Sequence, residues 1–410
     1  MDISPEETDK QTYQRIDSID FVRGLVMVIM LLDHTREFVH ADAFRFSPTD
    51  LSKTNVLLFI TRWITHLCAP TFVFLAGTSI YLQKMRGKSI HELSKFLLKR
   101  GLWLIVLEFT IVRFAIFFNV DYSFLGLAEV IWVFGVSMII LAALIFLPLR
   151  VIAVIGIVMI ALHNLLDGIK VPPATAMAGT PAPDVMQRLW LILHQPGFVP
   201  LLGNNQALFI AYPLIPWIGV MAAGYALGVV YGWETERRRS FLFKLGFTLT
   251  ILFVLGSALI TYFWTTQTNF VFIILDFLNA TKYPPSLLFL LMTLGPSLLI
   301  LAWADKINDR SENNYLSRIF ITFGRVPLFY FILQMFVAHI FGVLLNYSAG
   351  KSIDYFFLNF PASATAPPDA GFSLWVVYTA WIAGLVLLYP LCRRYGKVKQ
   401  SKRGFPFSYL

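Results

Sequence analysis

The first long apolar stretch of the chain, residues 21–40, carries side chains that could bind a phosphate and move a proton. Arg23 lies near its first end, and Asp33 and His34 lie in its second half. In a helix, the steps from Arg23 to His34 return to nearly the same face about 16 Å further along the axis. An arginine suits a phosphate, and an imidazole suits proton transfer near neutral pH. The spacing therefore predicts a binding group at one end of this stripe and a general base at the other, with the base oriented by Asp33 or another carboxylate.

Two plainer explanations are open for the same residues. Arg23 could be an anchor at the membrane interface, paired with Asp20 three residues earlier in the helix. His34 could be a buried histidine that only donates and accepts hydrogen bonds within the protein.

Other apolar stretches also carry polar side chains at positions that a bilayer would enclose. Because a charge inside a bilayer is costly, such residues are functional candidates. Arg62 and His66 are one helical turn apart on one face. We expect these groups to meet in a polar chamber in the outer half of a helical bundle, with arginines marking its inner entrance. The further candidates are Glu108, Arg113, Lys282, Tyr283, Arg325, Gln334 and His339.

Structural alternatives exist for some of these candidates. Glu108 and Arg113 could form an ion pair between helices. Lys282 comes just before a predicted helix, where a cation opposes the macrodipole, and it could instead extend to the outer headgroups. The seven histidines show no metal-ligand spacing, and no HExxH, CxxC or glycine-rich phosphate loop occurs, so we expect no metal.

The elements that would position these residues are membrane-spanning helices. Of the 410 residues, 57% are hydrophobic and 14% are charged, whereas a soluble domain is about 25% charged. Apolar stretches near the roughly 20 residues needed to cross a bilayer recur along the chain. They predict an all-α polytopic membrane protein with about ten transmembrane helices in a bundle. The predicted spans are 21–40, 55–83, 95–118, 124–147, 149–167, 206–232, 241–264, 284–304, 317–345 and 372–395, and the apolar segment 268–279 is too short to span.

The net charge of +9 comes from Lys and Arg gathered in a few short loops and in the two ends of the chain. An excess of Lys and Arg marks the cytoplasmic side, so both termini are predicted to be cytoplasmic, and no nucleic acid is expected as a partner. The predicted organisation is an N-terminal tail at 1–20, a transmembrane domain at 21–395 and a basic C-terminal tail at 396–410. The polar start indicates no cleavable signal peptide. The two cysteines, Cys68 and Cys392, are expected to be free thiols.

Several motifs resemble the bacterial relatives of heparan-α-glucosaminide N-acetyltransferase, within the clan of transmembrane acyltransferases. Asp17-x-x-Asp-x-x-Arg-Gly24 runs into Leu32-Asp-His34, and a second motif extends from Arg62 to Gly77. The further matches are Tyr212-Pro-Leu-Ile-Pro-Trp-Ile-Gly219, Lys282-Tyr-Pro-Pro-Ser-Leu287, Phe323-Gly-Arg-Val-Pro-Leu328 and Tyr389-Pro-Leu-Cys392. Type 3 acyltransferases of the same clan also carry an arginine and a histidine separated by ten residues in their first helix.

The resemblance implies transfer of an acyl group, usually acetyl from cytoplasmic acetyl-CoA, to a glycan or other hydroxyl or amine acceptor across a bacterial inner membrane. The expected partners are the lipid bilayer, acyl-CoA and a saccharide or other small acceptor, and homodimer formation is left open. The transfer histidine of the heparan branch corresponds only loosely to His66. Closer bacterial relatives look as if they have histidine where this chain has Gln334. The catalytic role is therefore divided between His34 and His66, with His34 favoured.

The resulting hypothesis assigns a role to each candidate. Arg23 and Arg325 would hold the phosphates of acyl-CoA, and His34 with Asp33 would act as base or carry the acyl group. Residues proposed to hold the acceptor or the developing oxyanion are Arg62, Arg113, Lys282, Tyr283 and Gln334. The competing class is a secondary transporter, in which the same charges would form a proton relay and a substrate pocket. Such transporters often show inverted repeats and broken helix pairs, and neither is visible in this sequence.

Overall fold

Fifteen α-helices and three short strands make up the parts of the chain described by a computed structural model, residues 16–43, 45–172, 182–201, 206–307, 314–360 and 366–401. The elements up to the sheet are α1 (Asp17–Val39), α2 (Val56–Thr65), α3 (Cys68–Met85), α4 (Ile90–Leu107), α5 (Arg113–Phe117), β1 (Phe124–Ala128), α6 (Val130–Leu144), α7 (Leu149–Leu162), α8 (Val185–Leu193), β2 (Gly197–Leu201) and β3 (Gln206–Ile210). The remaining helices are α9 (Leu214–Leu227), α10 (Thr235–Trp264), α11 (Phe270–Leu278), α12 (Leu287–Ile307), α13 (Tyr315–Gly324), α14 (Pro327–Ser348) and α15 (Leu374–Ser401).

The protein is an all-α polytopic membrane protein, as the hydropathy pattern predicts. Within the described parts of the chain, seven helical segments are long and apolar enough to cross a bilayer: Val56–Met85, Leu149–Leu166, Leu214–Gly232, Thr235–Trp264, Leu287–Lys306, Pro327–Ser348 and Leu374–Lys399. The other three predicted spans coincide with α1, with α4 and α5 joined by the π-turn Glu108–Val112, and with α6. The predicted tails lie largely outside the described residues, and α1 and α15 extend into them at Asp17 and Ser401.

A small sheet replaces the starts of two predicted spans. Its strand order is β1-β3-β2, with β1 parallel to β3 and β2 antiparallel to β3. The spans predicted at 124–147 and 206–232 therefore begin as strands, and only their later parts form α6 and α9. The carbonyl of Ala128 accepts hydrogen bonds from the amides of Ala211 (3.2 Å) and Tyr212 (3.1 Å), which ties the ends of β1 and β3 together.

Helix α1 lies in the interior of the bundle and packs against α3, α12, α13, α14 and α15. Its crossing with α13 is unusually close, because two glycines face each other's backbone. A Cβ on Gly24 would lie 1.7 Å from the carbonyl oxygen of Phe320, and one on Gly324 would lie 1.8 Å from that of Asp20. The Tyr330 hydroxyl donates to the carbonyl of Met27 at 3.0 Å and fixes α14 against the same helix. Side chains on α1 are therefore held against several neighbours at once.

Candidate functional site

One cavity follows α1 through the bundle and passes both ends of the stripe predicted from the sequence. Its volume is about 290 Å³, and its wall comes mainly from α1, α3, α4, α6 and α14. Arg23 lines one end, Met30 lies between, and Asp33 and His34 line the other end. We call these the basic end and the His34 end. Because α1 is a continuous helix, the two ends are separated by about 16 Å along its axis.

Four cationic side chains line the basic end. Arg23 and Arg325 were expected there, and Arg100 from α4 and Lys399 from α15 join them. The Arg23 guanidinium donates to the carbonyl of Leu75 at 3.0 Å and to the Ser79 hydroxyl, and it lies 3.6 Å from the Asp20 carboxylate. Arg23 therefore pairs with Asp20 and also lines the cavity.

The middle of the cavity is mostly apolar. Helix α3 contributes Cys68, Ala76 and Ile80, and the facing helices α6 and α14 contribute Phe134 and Phe331. Cys68 is a free, buried thiol whose sulfur contacts the carbonyl of Val26 at 3.2 Å. A long, flexible and largely uncharged ligand segment would fit between the two polar ends.

At the His34 end, the imidazole is held by a carboxylate from its own helix. His34 Nδ1 lies 3.1 Å from Glu37 Oε2, and its ring contacts the Phe331 ring edge to face at 6.2 Å. A carboxylate can only accept a hydrogen bond, so Nδ1 carries the proton and Nε2 of the neutral ring keeps its lone pair. A base paired with an orienting carboxylate is the arrangement that catalytic triads use.

Asp33 is not the carboxylate that orients His34, because it has other partners. Its carboxylate accepts from the guanidinium of Arg36 at 3.1 Å and from that of Arg62. Arg62 also donates to the Tyr283 hydroxyl at 3.5 Å. Asp33 therefore neutralises two buried arginines, and Glu37 is the carboxylate that orients His34.

Lys282 lines the His34 end of the cavity beside two aromatic rings. Its ammonium lies 5.7 Å from the ring centre of Tyr212 and 5.1 Å from that of Tyr283, and these two rings contact each other edge to face at 5.3 Å. Cation–π contacts of this kind hold a lysine without neutralising it. The ammonium remains a positive charge at the cavity wall.

Five of the predicted site residues do not line the cavity, namely His66, Arg62, Arg113, Tyr283 and Gln334. His66 packs edge to face on Phe289 at 5.2 Å, and Gln334 is fully buried in α14. Arg113 donates to the carbonyls of Asn119 at 2.6 Å and Phe124 at 3.2 Å and thereby organises the loop before β1. Its guanidinium is thus fully used within the protein. Arg62 and Tyr283 stand behind the wall, where they contact Asp33 and Lys282 respectively.

The ion pair between Glu108 and Arg113, the structural alternative for these two residues, is replaced by other contacts. Glu108 Oε2 accepts from the backbone amide of Trp132 at 2.7 Å, at the start of α6. Glu108 of the π-turn and Arg113 of α5 therefore bond to backbone groups at the start of α6 and in the loop before β1.

Four residues at the cavity received no role of their own from the sequence. Arg100 and Lys399 belong to basic segments that only indicate orientation, and Glu37 lies near the end of the first apolar stretch. Glu129 follows β1 and lines the cavity close enough to His34 and Lys282 to interact with their charges. Its signal in the sequence is a single carboxylate between two apolar runs, at the start of a helix.

The fold and the cavity define a polytopic membrane protein with an internal cavity that runs along a central helix. The profile of the family described as heparan-alpha-glucosaminide N-acetyltransferase, catalytic, matches residues 15–268. The chain belongs to this family, and this membership confirms the resemblance seen in the sequence motifs. The family supports a membrane acetyltransferase type of function for the protein. The match contains Arg23, His34 and Glu129 and ends before Lys282. A search of curated proteins found no match.

Proposed function

We propose that the protein transfers an acetyl group from acetyl-CoA, bound from the cytoplasm, to a hydroxyl or amine of a saccharide or other acceptor on the outer side of a bacterial inner membrane. The observation that carries this proposal is that one cavity has four cations at one end and the His34–Glu37 pair at the other. The direction follows from the excess of Lys and Arg in the loops at the basic end.

The donor fits this cavity by charge and by length. Its phosphates would lie among Arg23, Arg100, Arg325 and Lys399, where charge-assisted hydrogen bonds are available. Its long pantetheine arm would cross the apolar middle, and the thioester would then lie beside His34. A donor without phosphates would lose the strongest of these contacts.

The transfer step uses His34 as a shuttle for one proton. The acceptor oxygen or nitrogen attacks the thioester carbonyl carbon while His34 Nε2 takes the acceptor proton, and Glu37 stabilises the resulting imidazolium. When the carbon–sulfur bond breaks, the imidazolium returns the proton to the CoA thiolate. Acetylated acceptor and free CoA are the products, and His34 is again neutral.

Lys282 supports the same step through its charge. The thioester carbonyl oxygen becomes negative in the transition state, and a fixed positive charge in a site of low polarity stabilises it. The tyrosine rings around Lys282 restrict where its ammonium can lie.

The test separates the two ends of the cavity. His34→Ala should bind acetyl-CoA as the parent does while transfer falls by about 10²-fold or more, the usual scale of general acid–base catalysis. Arg23→Ala should weaken donor binding by roughly ten- to a hundredfold, because a hydrogen bond to a charged group contributes about 1.5–3 kcal/mol. The matched controls are His91→Ala and Arg318→Ala, which remove exposed side chains outside the cavity wall.

Binding by calorimetry and transfer of labelled acetyl from acetyl-CoA into membrane material give the two readouts. The reverse pattern, with His34→Ala losing donor binding and Arg23→Ala losing only turnover, would mean that the donor lies the other way round. Full activity in both variants would make the helix stripe structural and direct the search for a base to His66.

A further inference from the structure

Glu129 faces the cavity because of how two strands end. Parallel strands place their carboxyl ends at the same edge of a sheet, and β1 and β3 are joined there by the Ala128 carbonyl. Glu129 directly follows β1, and Tyr212 follows β3 by two residues, so both side chains reach the same end of the cavity. Residues about eighty positions apart in the chain thereby share one wall.

The carboxylate of Glu129 is not needed by the helix that it precedes. A residue at this N-cap position commonly caps the helix with its own side chain, and Glu129 makes no such bond. Glu108 from the π-turn takes that role, with Oε2 2.7 Å from the amide of Trp132 and with the amides of Glu129 and Ile131 also in reach. Two carboxylates thus share one helix start, and only one of them caps it.

The other charged groups at the His34 end already have partners. His34 is bonded to Glu37, Asp33 is bonded to two arginines, and Lys282 rests on two tyrosine rings. The Glu129 carboxylate, by contrast, hydrogen-bonds to no other side chain or backbone group among the described residues. A charged carboxylate away from bulk water is costly unless a donor meets it. A ligand that enters this cavity can supply such a donor with an N–H or O–H group.

We propose that Glu129 is the acceptor-binding carboxylate, which accepts a hydrogen bond from a hydroxyl or amine of the acceptor and holds its nucleophilic group against His34. Tyr212, placed by the neighbouring strand, forms the adjacent wall of this acceptor subsite. The inference rests on the proposed function and adds a residue and a scaffold to it. The sheet then serves to carry the acceptor subsite, and α1 serves the donor.

The experiment compares the two carboxylates at the start of α6. Glu129→Gln keeps the shape of the side chain and removes its charge, Glu129→Asp keeps the charge, and Glu108→Ala removes the cap. Membranes from cells that express each variant contain their own acceptors, so labelled acetyl-CoA reports transfer into membrane material and loss to water as free acetate. Acetyl-CoA affinity and melting temperature are measured on the purified proteins.

For Glu129→Gln we expect transfer into membrane material to fall about tenfold or more, the scale of one hydrogen bond to a charged group. Acetyl-CoA affinity and melting temperature should stay at the parental values, and free acetate should form a larger share of the product. Glu129→Asp should recover part of the transfer. Glu108→Ala should lower the melting temperature and leave the ratio of transfer to free acetate unchanged.

Two results would overturn the inference while the proposed function stands. One is parental transfer by Glu129→Gln, and the other is loss of acetyl-CoA affinity together with transfer, which would put Glu129 on the donor side. A parent protein that binds no acetyl-CoA and transfers no label would instead overturn the proposed function, and the acceptor subsite with it.

Discussion

Replacing Glu37 with glutamine tests which carboxylate makes His34 an effective base. The ring nitrogen Nδ1 lies 3.1 Å from Glu37, whereas Asp33, the neighbour of His34 in the chain, is occupied by Arg36 and Arg62. Glu37→Gln keeps an oxygen that can accept the Nδ1 proton, but it removes the charge that stabilises the imidazolium. The loss should therefore appear in turnover at saturating donor and acceptor rather than in donor affinity.

The size of the effect follows from the exposure of the carboxylate. A hydrogen bond to a charged group contributes about 1.5–3 kcal/mol, and solvent screening reduces it for Glu37, whose side chain is 43% exposed. A loss near 1.4 kcal/mol corresponds to roughly tenfold in kcat. Asp33→Asn should behave differently, because it removes the carboxylate nearest to both buried arginines and leaves Arg36 and Arg62 only the longer contacts with Glu37, at 3.5 and 4.0 Å. Breaking a buried ion pair costs about 3–5 kcal/mol, so its main effect should be on stability.

The assay measures kcat for acetyl transfer and the melting temperature of both variants in the same detergent. The expected result is a lower kcat at parental melting temperature for Glu37→Gln and a lower melting temperature for Asp33→Asn. Parental kcat in Glu37→Gln, together with a loss of kcat at parental melting temperature in Asp33→Asn, would refute this division of roles.

Two further predictions concern the path through the membrane. Ala76→Trp places an indole in the apolar middle of the cavity and should abolish both donor binding and transfer. The control Ala143→Trp, at an exposed position outside the cavity wall, should leave both unchanged. Donor binding by Ala76→Trp would show that the donor takes another route. Cysteines that replace Lys53 and Lys88 lie on opposite sides of the membrane if the basic end is cytoplasmic. An impermeant thiol reagent should label the cysteine at position 53 in cells with a permeable outer barrier and the cysteine at position 88 only in opened cells. Labelling at position 88 from outside would reverse the orientation.

The sequence was sufficient for the class of fold and for the central helix of the site. Hydropathy identifies spans because the bilayer requires long apolar helices, and helical periodicity places Arg23 and His34 on one face. Both residues line the same cavity. The segment 268–279 was also correctly excluded as a span, and it contains the short helix α11.

Hydropathy and helical periodicity could not predict the sheet or the residues that the sheet positions. Strands β1 and β3 are short apolar runs directly before apolar helices, and periodicity cannot separate such a strand from the start of a span. Their parallel pairing joins distant parts of the chain, so the position of Glu129 beside Tyr212 could not be predicted. Arg113 was assigned to the chamber from its depth alone, which does not tell whether a guanidinium faces a cavity or a loop.

The close crossing of α1 and α13 has a consequence for how this protein can change during evolution. Gly24 directly follows Arg23, and Gly324 directly precedes Arg325, so the closest approach of the two helices lies next to two of the four cations at the basic end. Any added side chain at either glycine must push the helices apart, because it would meet backbone atoms that cannot move alone. The distance between the two arginines would widen with them. A substitution at a glycine that contacts no ligand could therefore change which donors the protein prefers among those with different phosphate groups. Among relatives, we expect the residues at these two positions to differ where the donor differs.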